Sequence, residues 1–185
     1  MLRVSKRTLI IAGAIMSVAP IGTAAAADQQ LTAGLVAFAR FLGKWRGTGE
    51  GQPGTSDVER TYEPTLSGRF ILERNRSTYA PQEKNPKGEV HEHVGYMSFD
   101  KARKRLILRQ FHPEGFVNQY VAATAAIDAD SLVLNSEALE NLPAGWRARE
   151  TYKFSGPDAF EEIFDLSEPG KDFEVYSHNR FKRAP

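Results

Sequence analysis

The chain has 185 residues, with 24 Lys and Arg against 23 Asp and Glu, a formal charge of +1 and a charged fraction of 25%. That length suits one substantial domain, and that balance excludes both a disordered chain and a nucleic-acid footprint. There is no cysteine, so disulfides and thiol catalysis are excluded and stability must come from a closed hydrophobic core.

Arg3, Lys6 and Arg7 precede an apolar run from Leu9 to Ile21, and Ala25-Ala26-Ala27 follows before Asp28. A basic start, an apolar middle and an Ala-x-Ala end spell a secretory signal peptide, cut after Ala27. The apolar run is shorter than the roughly 20 residues a spanning helix needs. The expected mature chain is therefore a single domain over 28–185, periplasmic or secreted, with no integral membrane segment. Cleavage removes three basic residues and no acidic one, leaving 21 basic against 23 acidic and a net charge of −2. Neither DNA nor an anionic membrane is implied as a partner.

Leu31, Leu35, Phe38 and Leu42 recur at helical spacing, with Thr32 near the start and Gly43 beyond the end. A helix of about three turns near the barrel mouth is predicted. Next comes Gly43-Lys44-Trp45-Arg46-Gly47-Thr48-Gly49, where a strand would turn Trp45, Gly47 and Gly49 to one face and Lys44, Arg46 and Thr48 to the other. An indole followed by two positions without side chains plugs one end of a barrel and leaves room inside.

Alternating segments then run to the C-terminus, ten strands in all from 44–51 to 172–183. Turn residues separate them, among them Pro53-Gly54, Ser67-Gly68, His112-Pro113-Glu114-Gly115, Asp128-Ala129-Asp130 and Glu168-Pro169-Gly170. Short connections imply antiparallel neighbours, and closure removes the two exposed edges. The predicted fold class is all-β, a ten-stranded antiparallel up-and-down barrel.

Strand parity points Val58, Tyr62, Phe70, Leu72, Leu106, Leu108, Phe116, Tyr120, Leu132, Leu134, Trp146, Tyr152, Phe154, Phe160, Phe164, Leu166, Phe173, Val175 and Phe181 inward. The same parity carries Arg60, Arg74, Arg76, Asn118, Glu150, Glu162 and Asn179 inside. Buried charges must pair, reach water or meet a ligand, and a bulge would reverse the parity. Candidate ligand contacts are therefore Trp45, Arg60, Tyr62, Arg74, Arg76, Asn118, Tyr120, Glu150, Tyr152, Glu162 and Asn179. The guanidinium forks of Arg60, Arg74 and Arg76 would suit a carboxylate.

His91 and His93 project to one side of a strand, as a metal site would require, but a solvated face near Glu89 accounts for them as well. His112 stands where a strand meets a turn, able to cap backbone groups or touch a ligand. His178 shares its parity with Glu174, Tyr176, Arg180 and Lys182, an outer face, while Ser177 and Asn179 point in. No phosphate loop, nucleophile elbow, zinc-protease motif or spaced carboxylate cluster appears, so no catalytic residue is assigned.

The Gly43–Gly49 stretch resembles the Gly-x-Trp-x-Gly-x-Gly opening of nitrobindin-like haem-binding barrels, calycin relatives of lipocalins and fatty-acid-binding proteins. Leu66-Ser67-Gly68-Arg69-Phe70-Ile71-Leu72, His112-Pro113-Glu114-Gly115 and the terminal Phe181-Lys182-Arg183 extend the likeness over roughly 38–183. The resemblance implies an internal cavity, haem as cofactor, chemistry on nitric oxide or peroxynitrite, and an axial iron ligand on the last strand. The only His there is His178. Three readings stay open: a carrier of a small apolar or amphipathic molecule, a haem protein, and an envelope protein whose barrel is filled.

Overall fold

The computed structural model describes residues 30–123 and 130–185. The predicted signal peptide and the Asp128-Ala129 part of one predicted turn lie outside the described residues. Ten strands form a closed antiparallel barrel in simple meander order. They are β1 (Gly43–Gly51), β2 (Ser56–Thr65), β3 (Phe70–Tyr79), β4 (Glu89–Asp100), β5 (Arg105–Phe111), β6 (Val117–Ala122), β7 (Ser131–Glu140), β8 (Arg147–Phe154), β9 (Ala159–Ser167) and β10 (Glu174–Arg183). β1 pairs with both β2 and β10, so the sheet has no free edge.

The predicted helix is a 3₁₀ helix over Ala33–Phe41. It seals the end opposite the mouth rather than lying near the mouth. Only Leu42 separates it from β1, so it must sit where β1 begins, while β1 runs away from it toward Pro53. Leu35, Phe38 and Phe41 are buried there. The Phe41 ring packs 5.2 Å from Tyr62, 5.2 Å from Tyr152 and 4.9 Å from Phe154. The Trp45 indole lies in the same cluster, edge-on to Phe160, and its Nε1 donates to the Phe41 carbonyl at 2.6 Å.

The glycines of β1 do something other than open the lumen. A Cβ on Gly49 would lie 2.3 Å from Asn179 Oδ1, and one on Gly47 would lie 1.9 Å from the Arg180 carbonyl oxygen. Bare backbone on β1 lets β10 and its side chains approach closely.

Parity holds on β2, β5, β6 and β8 and fails on β3. Ile71, Glu73, Asn75 and Ser77 are buried, whereas Arg74 and Arg76 are exposed and Phe70 and Leu72 face outward. The four-residue loop 66–69 pairs Thr65 with Phe70 and Tyr62 with Glu73, so the inward even positions of β2 stand beside odd positions of β3. Phe70 instead stacks edge-on with Tyr96 on the outer wall.

A bulge between Val175 and Ser177 reverses the parity of β10. Val175 is 54% exposed. Phe173 lies beneath the Arg147 and Arg149 guanidiniums rather than in the lumen. Ser177, Asn179 and Phe181 face in as expected.

Candidate functional site

The lumen has three levels. Its sealed base is the aromatic and aliphatic cluster around Phe41, Trp45, Tyr62, Tyr152, Phe160 and Phe181. Above it lies an ionic waist. Arg60, 2% exposed, forms a bidentate pair with Glu162, one contact through Nη2 to Oε2 at 2.8 Å and the other through Nη1 to Oε1. Its Nε donates to Asn75 Oδ1 at 2.9 Å, and Glu73 Oε1 lies 3.4 Å from Nη1. Asn179 Nδ2 donates to Glu162 at 2.8 Å.

One guanidinium thus stands between two buried carboxylates, whose oxygens are all engaged except Glu73 Oε2, which has no hydrogen-bond partner among the described residues. Burial would raise the pKa of Glu73. The Arg60 charge and hydrogen bonds from His93 and Gln110 instead hold it down at about 2. Glu150 is the opposite case. Burial, then the neighbouring Glu162, pushes its carboxyl well above the usual range. Its Oε2 and the Tyr152 hydroxyl have no hydrogen-bond partner among the described residues.

The third level is the mouth, where a cavity of about 250 Å³ opens between the β1–β2 loop and the turn after β5. One wall is imidazole. The His93 and His112 rings are 5.1 Å apart, His91 and His112 5.7 Å, and His91 and His93 6.1 Å. Glu73 Oε1 holds His93 Nε2 at 3.2 Å, Glu114 lies 3.5 Å from His91 Nε2, and Asn118 Nδ2 lies 3.3 Å from His112 Nε2. Burial, with His93 and His91 close by, depresses the His112 pKa to about 3, which leaves its ring neutral. Phe116, Leu142, Phe164 and Leu166 add apolar surface to the same cavity.

Of the candidates drawn from the sequence, Arg60, Asn118, Glu150, Glu162 and Asn179 meet at this cavity. Trp45, Tyr62, Tyr120 and Tyr152 are buried in the core cluster. Arg74 and Arg76 lie outside the barrel in a groove with Lys44, Arg46, Glu59 and Glu92, because the β2–β3 loop sets the opposite parity. A carboxylate clamp of three arginines therefore does not exist, and Arg60 is already neutralised.

His178 faces outward, as its parity indicates, with Nε2 2.9 Å from Glu161 Oε2 and Nδ1 accepting from Arg180 at 3.1 Å. Both ring nitrogens are engaged away from the lumen, so the last strand presents Ser177 and Asn179 instead. Placing His91 and His93 on a solvated face is corrected: both line the cavity. The signal lay in the loop lengths, since Tyr79 pairs with Glu89 and carries the odd parity of β3 onto β4.

A closed meander barrel with a packed base, an ionic waist and an open mouth is a small-ligand binder of calycin type. The family model of the THAP4-like, haem-binding β-barrel domain matches residues 34–183, and the chain belongs to that family. The nitrobindin-like resemblance of the sequence is thereby borne out. The crystal structure of Rv2717c from M. tuberculosis superposes with a TM-score of 0.66 at 18% identity, over 84% of this chain and 100% of that one. That likeness shows the shared fold. A redesigned β-barrel matches at a TM-score of 0.44 and 11% identity, over 80% of this chain and 96% of its own. No curated protein matches the sequence.

Haem requires a donor to iron and an apolar surface for the macrocycle. His178 cannot be that donor in the arrangement observed. The mouth fits both requirements, with the neutral His112 imidazole and its two imidazole neighbours as donors and Phe116, Leu142, Phe164 and Leu166 as apolar surface.

Proposed function

We propose that the protein is an exported barrel that binds haem at its open mouth, with His112 or a neighbouring imidazole of that wall as the iron donor. The observation that carries this reading is a cluster of three imidazoles in a cavity that Phe116, Leu142, Phe164 and Leu166 also line, in a chain of a haem-binding domain family. Export is supported by the basic, apolar and Ala-x-Ala order of residues 1–27.

Haem iron, when bound, supplies a coordination position for a small molecule. The chain's own residues do the rest. Glu73 fixes the orientation of His93, and Phe116, Leu142, Phe164 and Leu166 supply apolar contact area. The cavity of about 250 Å³ is smaller than the roughly 300–1,000 Å³ that encloses a drug-sized ligand. A porphyrin would therefore enter only in part and remain accessible for exchange.

Titration of the purified chain with haemin, read at the Soret band, tests the proposal. A saturable red shift that survives His178→Ala and is lost or altered in His112→Ala is the expected result. The reading fails if no shift develops, or if His178→Ala abolishes it.

A further inference from the structure

An axial ligand to haem needs one imidazole, and this mouth has three together with a carboxylate. The nitrogens of His91 and His112 and a carboxylate oxygen of Glu114 all lie within 4.8 Å of one another. We propose that His91, His112 and Glu114 form a chelating site for a divalent transition-metal ion of the zinc class, independent of any porphyrin.

The placement follows from the fold. β4 and β5 pair Val94 with Phe111; one step beyond, the His112 ring lies 5.1 Å from that of His93, and the turn that follows brings Glu114 to 3.5 Å from His91. The turn itself is fixed. The His112 N–H donates to the Phe116 carbonyl at 3.0 Å, the Gly115 N–H donates to the His112 carbonyl at 2.9 Å, and Gly115 takes φ 89°, where a side chain would be strained.

Two imidazoles and one carboxylate form a His₂Glu set of the kind that holds zinc while leaving a fourth position open. Zinc bonds of about 2.0–2.2 Å would draw the three donors slightly inward, a small adjustment for Glu114, whose side chain is 49% exposed. Supporting contacts are also present. A ligating imidazole usually donates its second ring N–H to an acceptor; the Asn118 amide stands 3.3 Å from His112 Nε2, and turning that amide over would bring its unpartnered Oδ1 to accept there. His93, held by Glu73, lies within ring-contact distance of both ligating imidazoles. All three donors line the mouth cavity, as does Glu150.

The test uses the purified chain after chelator treatment. Co²⁺ is titrated while visible d–d absorption is followed, and Zn²⁺ is titrated by calorimetry. One ion per chain is expected, with Zn²⁺ displacing Co²⁺. His91→Ala and Glu114→Gln, both at partly exposed positions, should weaken binding at least about tenfold while leaving the near-UV circular dichroism unchanged. His112→Ala should abolish it. His178→Ala serves as the control and should bind normally.

No saturable cobalt spectrum in the parent chain overturns the proposal. So does undiminished affinity in both His91→Ala and Glu114→Gln. Haemin titration of the zinc-loaded chain separates the two readings. Because His112 cannot serve both, zinc should raise the haemin concentration needed for the Soret shift. Zinc binding without any Soret response leaves the metal site standing and removes the haem reading; a Soret response without cobalt or zinc binding does the reverse.

Discussion

The two ends of the lumen are built from the same ten strands and do opposite things. At the sealed end the inward positions are aromatic and aliphatic, and the rings of Phe41, Trp45, Tyr152 and Phe160 interlock at 4.7 to 6.2 Å. At the open end the inward positions are His91, His93, His112, Ser177 and Asn179, groups that gain little from packing and offer lone pairs and N–H groups to whatever enters. The Arg60 waist divides the two. The lower half stabilises the barrel and the upper half is free to bind, and each substitution below tests that division.

The largest effect is expected at the waist. Arg60→Met leaves Glu73 and Glu162 buried with no counter-charge, and breaking a buried pair costs about 3–5 kcal/mol. With two carboxylates stranded, the upper part of that range is expected in urea denaturation. The double variant Arg60→Met/Glu162→Met should recover part of the loss, since it strands one buried carboxylate, Glu73, rather than two. If the single variant is as stable as the parent, the waist is hydrated rather than sealed.

Phe160→Ala comes next, because this ring touches Phe41, Trp45, Tyr152, Phe154 and Phe181. Truncating a fully buried Phe costs about 3–5 kcal/mol, here toward the lower end because surrounding aromatic rings can tilt into the space. Thermal denaturation should show the drop, while binding at the mouth should be retained at temperatures below the transition. Loss of binding in a still-folded Phe160→Ala would mean that the two ends are coupled.

All ten strands were readable in the sequence, because turn residues punctuate it and period-two alternation survives in most strands. The base of the lumen was readable too, from Trp45, Tyr62, Tyr152 and Phe160. The mouth was less so. On β3 both parities carry apolar residues, Phe70 and Leu72 against Ile71, so alternation alone does not fix the inward face. Arg74 and Arg76 share the outer parity, and Glu73, the carboxylate that neutralises Arg60 from β3, has the inner one. Counting the loop residues from Thr65 to Phe70 would have corrected β3, and from there β4 with His91 and His93. The bulge after Val175 leaves no such trace. Only the pairing of Ser177 with Phe164 reveals it.

Glu150→Gln is expected to have a smaller effect, visible mainly in its pH dependence. Burial raises the folded-state pKa of Glu150 above the unfolded value of about 4.5. Between those two values the folded chain therefore binds the extra proton. Stability then falls as pH rises above about 4.5 and continues to fall until the folded-state pKa is passed. Glutamine keeps the neutral shape and removes the titration, so urea midpoints for Glu150→Gln should decline less between pH 5 and pH 8 than those of the parent. Equal declines would show that Glu150 is ionised and already paired.

The smallest effect on stability is expected at the rim, and it is the sharpest test of the division. His91 is partly exposed, belongs to neither the aromatic base nor the Arg60 network, and meets Glu114 only at 3.5 Å across an accessible edge. Pairs of that kind contribute roughly 0–1 kcal/mol, and the ring covers little apolar surface. His91→Ala should leave the denaturation midpoint within about 0.5 kcal/mol of the parent, while the cobalt spectrum at the mouth weakens at least tenfold. A large loss of stability at His91 would mean that the imidazole wall is part of what holds the barrel closed, and the separation of a stabilising end from a binding end would fail at its most exposed point.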